Sequence, residues 1–279
     1  MIVNMSKKDL NQLAYKIRAD VLDMAFHAGV EGGHIGGAFS SAEILAVLYG
    51  EIMNVDPKNP TKADRDRFIL SKGHISIAHY AVLKECGFLT QEDLAVFERN
   101  GSGFSTHETE NMDKGIEITS GSLGYGVSIG IGCALAAKRK RMDYKTYVLA
   151  GDGECNEGCV WEAAMTGARY GLDNLIVIID KNDQQLDGYT GDIMPVDDFE
   201  KVFEGFGWAV RKVDGHNVNQ LRSAFMDARE NKPLAVIAQT VKGKGIERIE
   251  GQTGWHHAQI NDTQYEQFKK SLEETKCWK

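Results

Sequence analysis

Tyr147-Val148-Leu149-Ala150 runs straight into Gly151-Asp152-Gly153, and Leu175-Ile176-Val177-Ile178-Ile179-Asp180 is followed at once by Asn182. Short apolar runs bounded by Gly and Asp read as strands buried on both faces, and residues 157–170 between them read as an amphipathic helix. Gly-Asp-Gly by itself is also what an ordinary turn looks like. The whole unit, strand, Gly-Asp-Gly, helix, strand and Asn, says more: it sets a carboxylate and an amide carbonyl at the carboxyl ends of two strands, where an open α/β sheet leaves its ligand crevice. A hard divalent cation such as Mg²⁺ takes oxygen ligands and is usually shared with substrate phosphates, a role that suits Asp152 and Asn182. Gly151 and Gly153 let bare backbone approach a phosphate, and the helix beginning near Glu157 aims its N-terminal dipole at the same place. The expected ligand is a metal-bound diphosphate.

The pattern continues outward in both directions. Downstream come a helix at 197–205, a strand Trp208–Val213, a helix Val218–Asn231, a strand Leu234–Thr240, a Gly-rich segment Lys242–Gly254 and a terminal helix around Tyr265–Leu272. Upstream, Ser6 with Asp9 caps a helix running to Gly29, and Ser40 with Glu43 repeats that capping pattern for a helix ending before Asn54. Phe68-Ile69-Leu70 reads as a strand followed by a helix through Tyr80 and Leu83, and Glu117-Ile118-Thr119 as a strand entering the turn Gly121-Ser122-Leu123-Gly124-Tyr125-Gly126. Alternating strands and helices predict one α/β domain, a doubly wound, mainly parallel sheet flanked by helices, with a helical tail from about residue 260.

With 279 residues, 42% of them hydrophobic, the chain can bury a large core. A net charge of -8 argues against nucleic acid or an anionic membrane as partner, since the one basic run, Lys138-Arg139-Lys140-Arg141, reads as a solvated helix end. No stretch is apolar for long enough to cross a bilayer, and the start lacks a signal peptide's apolar core, so the expected location is the cytoplasm. The five cysteines (Cys86, Cys133, Cys155, Cys159, Cys277) form no Cys-x-x-Cys unit and read as reduced thiols; Cys155 and Cys159 read as small core residues, thiolate being a poor Mg²⁺ ligand.

Two further groups carry chemistry. The glycines at 121, 124 and 126 have the wrong spacing for a dinucleotide fingerprint, but suit a tight turn that lays backbone against a flat ligand ring. His34, His74, His107 and His256 all fall in loops flanking the expected strand ends, where neutral imidazoles can bind phosphate oxygens or carbonyls and move protons near neutral pH. His27 and His216 read as structural.

Taken in order, Gly33-His34, Leu70-Ser71-Lys72-Gly73-His74, Thr119-Ser120-Gly121-Ser122-Leu123-Gly124, Gly151-Asp152-Gly153-Glu154 with Glu157-Gly158, Asp173-Asn174-Leu175, Asn182, Val213-Asp214-Gly215-His216 and Lys242-Gly243-Lys244-Gly245 through Trp255-His256 resemble the thiamine diphosphate domain of transketolases, from about residue 10 to about 260. The resemblance implies a thiamine diphosphate and Mg²⁺ enzyme of the pentose phosphate type, passing a two-carbon ketol unit from a ketose phosphate to an aldose phosphate. It implies that Asp152, Asn182 and the backbone carbonyl of Gln184 hold the metal. His74, Gly153 and His256 would hold the diphosphate, and Gly121 and Leu123 would meet the cofactor rings. His34 and His107 would face the sugar, and Glu157 would couple two active sites across a dimer. Transketolases commonly carry Gly-His-Pro at both sugar histidines. Here the contexts are His34-Ile35 and Thr106-His107-Glu108, which leaves the sugar open. The resemblance covers only the first part of a transketolase. It therefore implies a separately encoded C-terminal subunit in a two-plus-two heterotetramer, with the isolated chain inactive. The other readings are a subunit of a related thiamine diphosphate enzyme (an unusual-sugar transketolase, a 1-deoxyxylulose-phosphate synthase or a 2-oxoacid dehydrogenase) and a non-catalytic cofactor-binding protein.

Overall fold

The apolar runs become five parallel strands in this computed structural model, which describes residues 6–196, 198–227 and 231–276. In chain order they are β1 Arg67–Leu70, β2 Thr146–Gly151, β3 Leu175–Lys181, β4 Ala209–Asp214 and β5 Leu234–Gln239. Across the sheet they lie β1-β2-β3-β5-β4, so the chain winds outward from β1 to β3, passes to the edge at β4 and returns to insert β5. The burial pattern follows from this order: β2 is buried throughout, whereas the edge strand β4 exposes Arg211 and Lys212.

The helices are α1 Lys7–His27, α2 Ile35–Ser40, α3 Ala42–Val47, α4 Ser76–Glu85, α5 Gln91–Ala95, α6 Tyr125–Lys140, α7 Gly158–Arg169, α8 Thr190–Ile193, α9 Phe199–Gly205, α10 Val218–Met226 and α11 Asp262–Glu274. Because successive strand residues point to opposite faces, each strand feeds two cores. Phe68, Leu70, Tyr147, Leu149, Ile176, Ile178 and Val236 pack with α1 to α4 and α10, while Ile69, Val148, Val177, Ile179 and Ile237 pack with α6, α7 and α9. The sheet is therefore doubly wound, as the sequence predicts. On α6, a methyl group at Gly130 would run into Val148 Cγ2 on β2. Gly130→Ala is accordingly expected to cost about 1–3 kcal/mol of stability through overpacking, measured by urea unfolding, and an unchanged midpoint would refute that contact.

Three local expectations give way to tertiary partners. The Ser6–Asp9 capping box forms at the start of α1, but Ser40 and Glu43 make none. Ser40 Oγ instead donates to Asp180 Oδ2 (2.7 Å) and to the Gly37 carbonyl, and Glu43 takes both terminal nitrogens of Arg18 (2.7 Å each) and His216 Nδ1 (2.9 Å). The expected single helix is thus divided into α3 and a π turn, Leu48–Ile52, and a further short helix, α2, precedes it where none was expected. No strand forms at Glu117–Thr119; only Ile116 bridges Asn111, because Glu117 is drawn to the Arg65 guanidinium. Helix α10 closes at Met226, and positions 228–230 of the expected helix, like Cys277, lie outside the described residues. His216 is structural, as read: the Val241 N–H donates to its Nε2 (2.9 Å), so its proton sits on Nδ1 against Glu43.

The terminal helix α11 packs back on α1, where Tyr265 stacks on Phe26 (4.2 Å between ring centres) and its hydroxyl donates to Asp23. No helix among the described residues is long and apolar enough to cross a membrane. Cys86, Cys133, Cys155 and Cys159 are free thiols, and Cys155 is fully buried under the Gly-Asp-Gly turn.

Candidate active site

Parallel pairing sets Gly151 of β2 level with Asp180 of β3, so the residues that follow each strand emerge side by side. There Asp152 is buried, its two oxygens accepting the backbone N–H groups of Gly153 (2.9 Å) and Asp183 (2.7 Å). No cationic side chain among the described residues comes within ion-pair distance of it, and burial, with Asp180 nearby, pushes its carboxyl up to about 6. Asn182 donates its Nδ2 to Asp180 Oδ2 (2.9 Å), which fixes the amide and leaves Oδ1 as acceptor, in contact only with the Gln184 N–H (3.2 Å). Gln184 has a buried Oε1 with no partner.

Opposite lies the reverse situation. Lys242 is 3% exposed, yet its ammonium reaches no carboxylate among the described residues; it contacts the Gln185 carbonyl and His256 Nδ1, each at 3.2 Å. Burial, then Lys72, lower it to about 8. Since Lys242 donates to Nδ1, neutral His256 carries its proton on Nε2 and presents a donor. Burial lowers His256 to about 4, His34 to about 3, and His74 well below the ordinary range, so all three are neutral imidazoles at pH 7. Their rings lie together: His74 is 4.9 Å from His256 and 5.4 Å from His34, and His34 is 6.1 Å from His107.

These groups line one cavity of about 320 Å³. His34, His74, His107, Gly121, Leu123, Asp152, Gly153, Asn182, Gln184 and His256 all reach it. Glu157 does not: it caps α7 from outside, exposed to solvent, and is the one residue of the expected set that the fold keeps apart. The helix expected to begin there starts at Gly158, after a 3₁₀ turn Gly153–Asn156, and it is this turn that follows Asp152 directly. Gly121 holds the left-handed φ of 131° that the tight turn requires, with the His107 ring against its Cα. A larger cavity of about 660 Å³ opens beside α1, where Lys16 pairs with Glu85 at 2.8 Å and no sequence-predicted site residue reaches it.

The sequence reading passes over four residues that set the geometry. Asp180, fully buried, takes Lys72, Ser40, Thr240 and Asn182, and Lys72 holds its carboxyl below the ordinary range against burial. Glu154, also buried, binds Ser71 Oγ (2.5 Å), the Gly124 N–H (2.6 Å) and the Gly151 N–H (2.9 Å), tying the ends of β1 and β2 to the start of α6. Lys242 is the fourth. One signal was available, since an Asp or Lys ending an otherwise apolar run must find a buried partner or a ligand.

A buried carboxylate and a buried lysine that are each without an ion-pair partner are costly, and a cation bound to an anion relieves both. No group of three or more His, Cys, Asp or Glu among the described residues could hold a metal unaided, so a cation here would take ligand oxygens as well. The residues present therefore fit a metal-bound diphosphate.

Residues 10–276 match the family described as transketolase, thiamine diphosphate binding domain. The chain is 40% identical over 271 residues to an apulose-4-phosphate transketolase subunit of Phocaeicola vulgatus, covering 96% of this chain and 92% of that protein. It is 39% identical over 267 residues to the 6-deoxy-6-sulfo-D-fructose transketolase subunit SqwG of a Clostridium species, covering 95% and 96%. The crystal structure of transketolase from Campylobacter jejuni superposes with a TM-score of 0.89 at 32% identity, over 96% of this chain and 43% of that one.

Proposed function

Since this chain belongs to the transketolase thiamine diphosphate binding domain family, we propose that it is the N-terminal subunit of a two-component transketolase, transferring a two-carbon ketol unit from a ketose phosphate to an aldose phosphate. The observation that carries the reading is the unpaired Asp152 facing the unpaired Lys242 across the strand ends. Asp152, Asn182 and the Gln184 backbone carbonyl would hold Mg²⁺; His74, His256, Gly153 and Lys242 would hold the diphosphate; Gly121 and Leu123 would lie along the cofactor rings. Thiamine diphosphate supplies a carbon nucleophile and an electron sink for breaking and remaking a carbon–carbon bond beside a carbonyl. His34 and His107, neighbours at the cavity mouth, bind sugar hydroxyls, and His34, lowered to about 3, is in its proton-accepting form at neutral pH.

The two-component arrangement is supported by coverage: the chain accounts for 92% of a protein itself named as one subunit of a transketolase, and for 43% of a complete transketolase chain. The companion subunit would supply the remaining domains, in a two-plus-two assembly in which Glu157, exposed at the start of α7, meets a second copy and couples the two sites. Both relatives described above are named for less common sugars, which favours a donor of that kind over xylulose 5-phosphate. The test is to purify the chain with its companion, add thiamine diphosphate and Mg²⁺, and assay ketol transfer from xylulose 5-phosphate, apulose 4-phosphate and 6-deoxy-6-sulfofructose. No transfer from any donor, or turnover of pyruvate alone, rejects the proposal.

In that assembly His34→Ala is expected to lower turnover by roughly 10²–10⁴-fold, the usual worth of a positioned acid–base group, while cofactor affinity stays within about twofold. Isothermal titration separates the two effects, and loss of cofactor would move His34 from the sugar to the cofactor.

A further inference from the structure

The main chain sets one more imidazole against His34, beside the cavity rather than in its lining. Gly33 and Ala258 exchange both backbone hydrogen bonds (3.0 Å each) as an antiparallel bridge, and the Gly36 N–H donates to the Trp255 carbonyl (3.1 Å) in the same register. That register sets His34 directly opposite His257, and in a non-hydrogen-bonded pair the two side chains stand on one face in contact. Their ring centres are 4.6 Å apart, edge to face. The approach depends on Gly36, where a Cβ would strike the Trp255 carbonyl oxygen.

His257 differs from its neighbour in what it is free to do. His256 points inward and is engaged by Lys242, whereas His257 is exposed and neither of its ring nitrogens has a hydrogen-bond partner among the described residues. His34 Nδ1 is likewise unpartnered, and it is buried. His107, also exposed, flanks His34 on the other side at 6.1 Å. His34 and His107 thus line the cavity and His257 stands just outside it against the His34 ring, three imidazoles with free nitrogens suited to the successive hydroxyls of a polyol and poorly suited to an apolar ligand.

We propose that His257 is a substrate-binding residue that reads the hydroxyls of the donor sugar beside His34, and so helps to set which ketose phosphate the assembly accepts. The proposal rests on the ketol-transfer reading above. The backbone bridge between Gly33 and Ala258 does not involve the His257 ring, so truncating the ring removes a sugar contact without freeing the cofactor pocket.

The test uses the chain purified with its companion subunit, loaded with thiamine diphosphate and Mg²⁺, and the three donors named above. His257→Gly is expected to lower kcat/KM for the preferred donor about tenfold, chiefly through KM, and to change the ranking of the donors. His257→Asn, which keeps a hydrogen-bonding donor and acceptor, is expected to recover part of the loss. Cofactor affinity and melting temperature should match the parent in both. If the parent transfers ketol units and His257→Gly leaves kcat/KM for every donor within about twofold, the proposal fails while the functional reading stands. It fails too if activity falls only together with cofactor affinity, which would make His257 a structural support. If the parent transfers no ketol unit from any donor, the functional reading falls and takes this proposal with it.

Discussion

Asp152→Ala is expected to abolish metal-dependent binding of thiamine diphosphate to the assembled complex, and Asp152→Asn to weaken it by more than about 100-fold, beyond the usual cost of removing a residue that merely supports a metal ligand. The carboxylate lies at 2% exposure with no cation within ion-pair distance among the described residues, and Lys72 offsets its burial only in part. That isolation has a second, opposite signature in the empty protein. The carboxyl is raised from 3.8 to about 6, so between these values the folded chain keeps a proton that the unfolded chain releases. Stability therefore falls as pH rises through this window, by up to about 3 kcal/mol from this group alone. The asparagine variant does not titrate there, while the lowered histidines titrate alike in both proteins and cancel in the difference. Without cofactor, Asp152→Asn should thus gain stability over the parent between about pH 4 and pH 6.5 and hold that gain at neutrality. Cofactor with Mg²⁺ should stabilise the parent and leave the variant unmoved. Urea midpoints at the two ends of the window, with and without ligand, measure both effects. A variant less stable than the parent at neutral pH, or one stabilised equally by Mg²⁺ and cofactor, would remove Asp152 from the metal site.

The sequence shows the sheet and the pocket more clearly than it shows what holds them in register. Residues 147–150 and 175–179 are apolar at every position because both faces of a central parallel strand are covered, a signal that needs no knowledge of the partner. His34, His74, Asp152 and Asn182 are visible because small or polar residues at strand ends have few reasons to be there other than a ligand. Ser40 shows why the rest was hidden. Its relation to Glu43 has the form of a helix cap, yet each side chain is claimed by a group far along the chain, Asp180 and Arg18 respectively. Local spacing carries no information about such partners. The same holds for Glu154, two of whose three donors, Ser71 and Gly124, lie far along the chain. Glu157 is a different case: it stands at the head of α7 as read and faces solvent, so its expected role finds no expression within one copy of the chain.

Lys72→Met is expected to be the most destabilising single change of charge in the chain. Asp180 is fully buried, and although Ser40 (2.7 Å), Asn182 (2.9 Å) and Thr240 all donate to it, Lys72 supplies the only cation among the described residues that pairs with it. Breaking a buried pair from one side leaves a charge without a partner, at a cost of roughly 3–5 kcal/mol. For a chain of this size that corresponds to a fall in melting temperature of roughly 5–10 °C. The sign with pH also follows. Lys72 holds the Asp180 carboxyl below its ordinary value, so the parent draws stability from this group above the unfolded-state value and loses it in acid, whereas the variant should lose its penalty as acid protonates the carboxyl. Parent and variant are therefore expected to converge in stability as pH falls. Adding Asp180→Asn removes the orphaned charge, and the double variant should recover at least half of what the single one lost. A single variant within about 0.5 kcal/mol of the parent, or a double variant no better than the single, would show that the hydroxyls and the Asn182 amide suffice for Asp180 without the lysine. Because that same Asn182 lines the cavity and is the residue proposed to hold the metal, the buried pair and the cavity form one network. Lys72→Met should then lose Mg²⁺-dependent cofactor affinity even at a temperature where it remains folded.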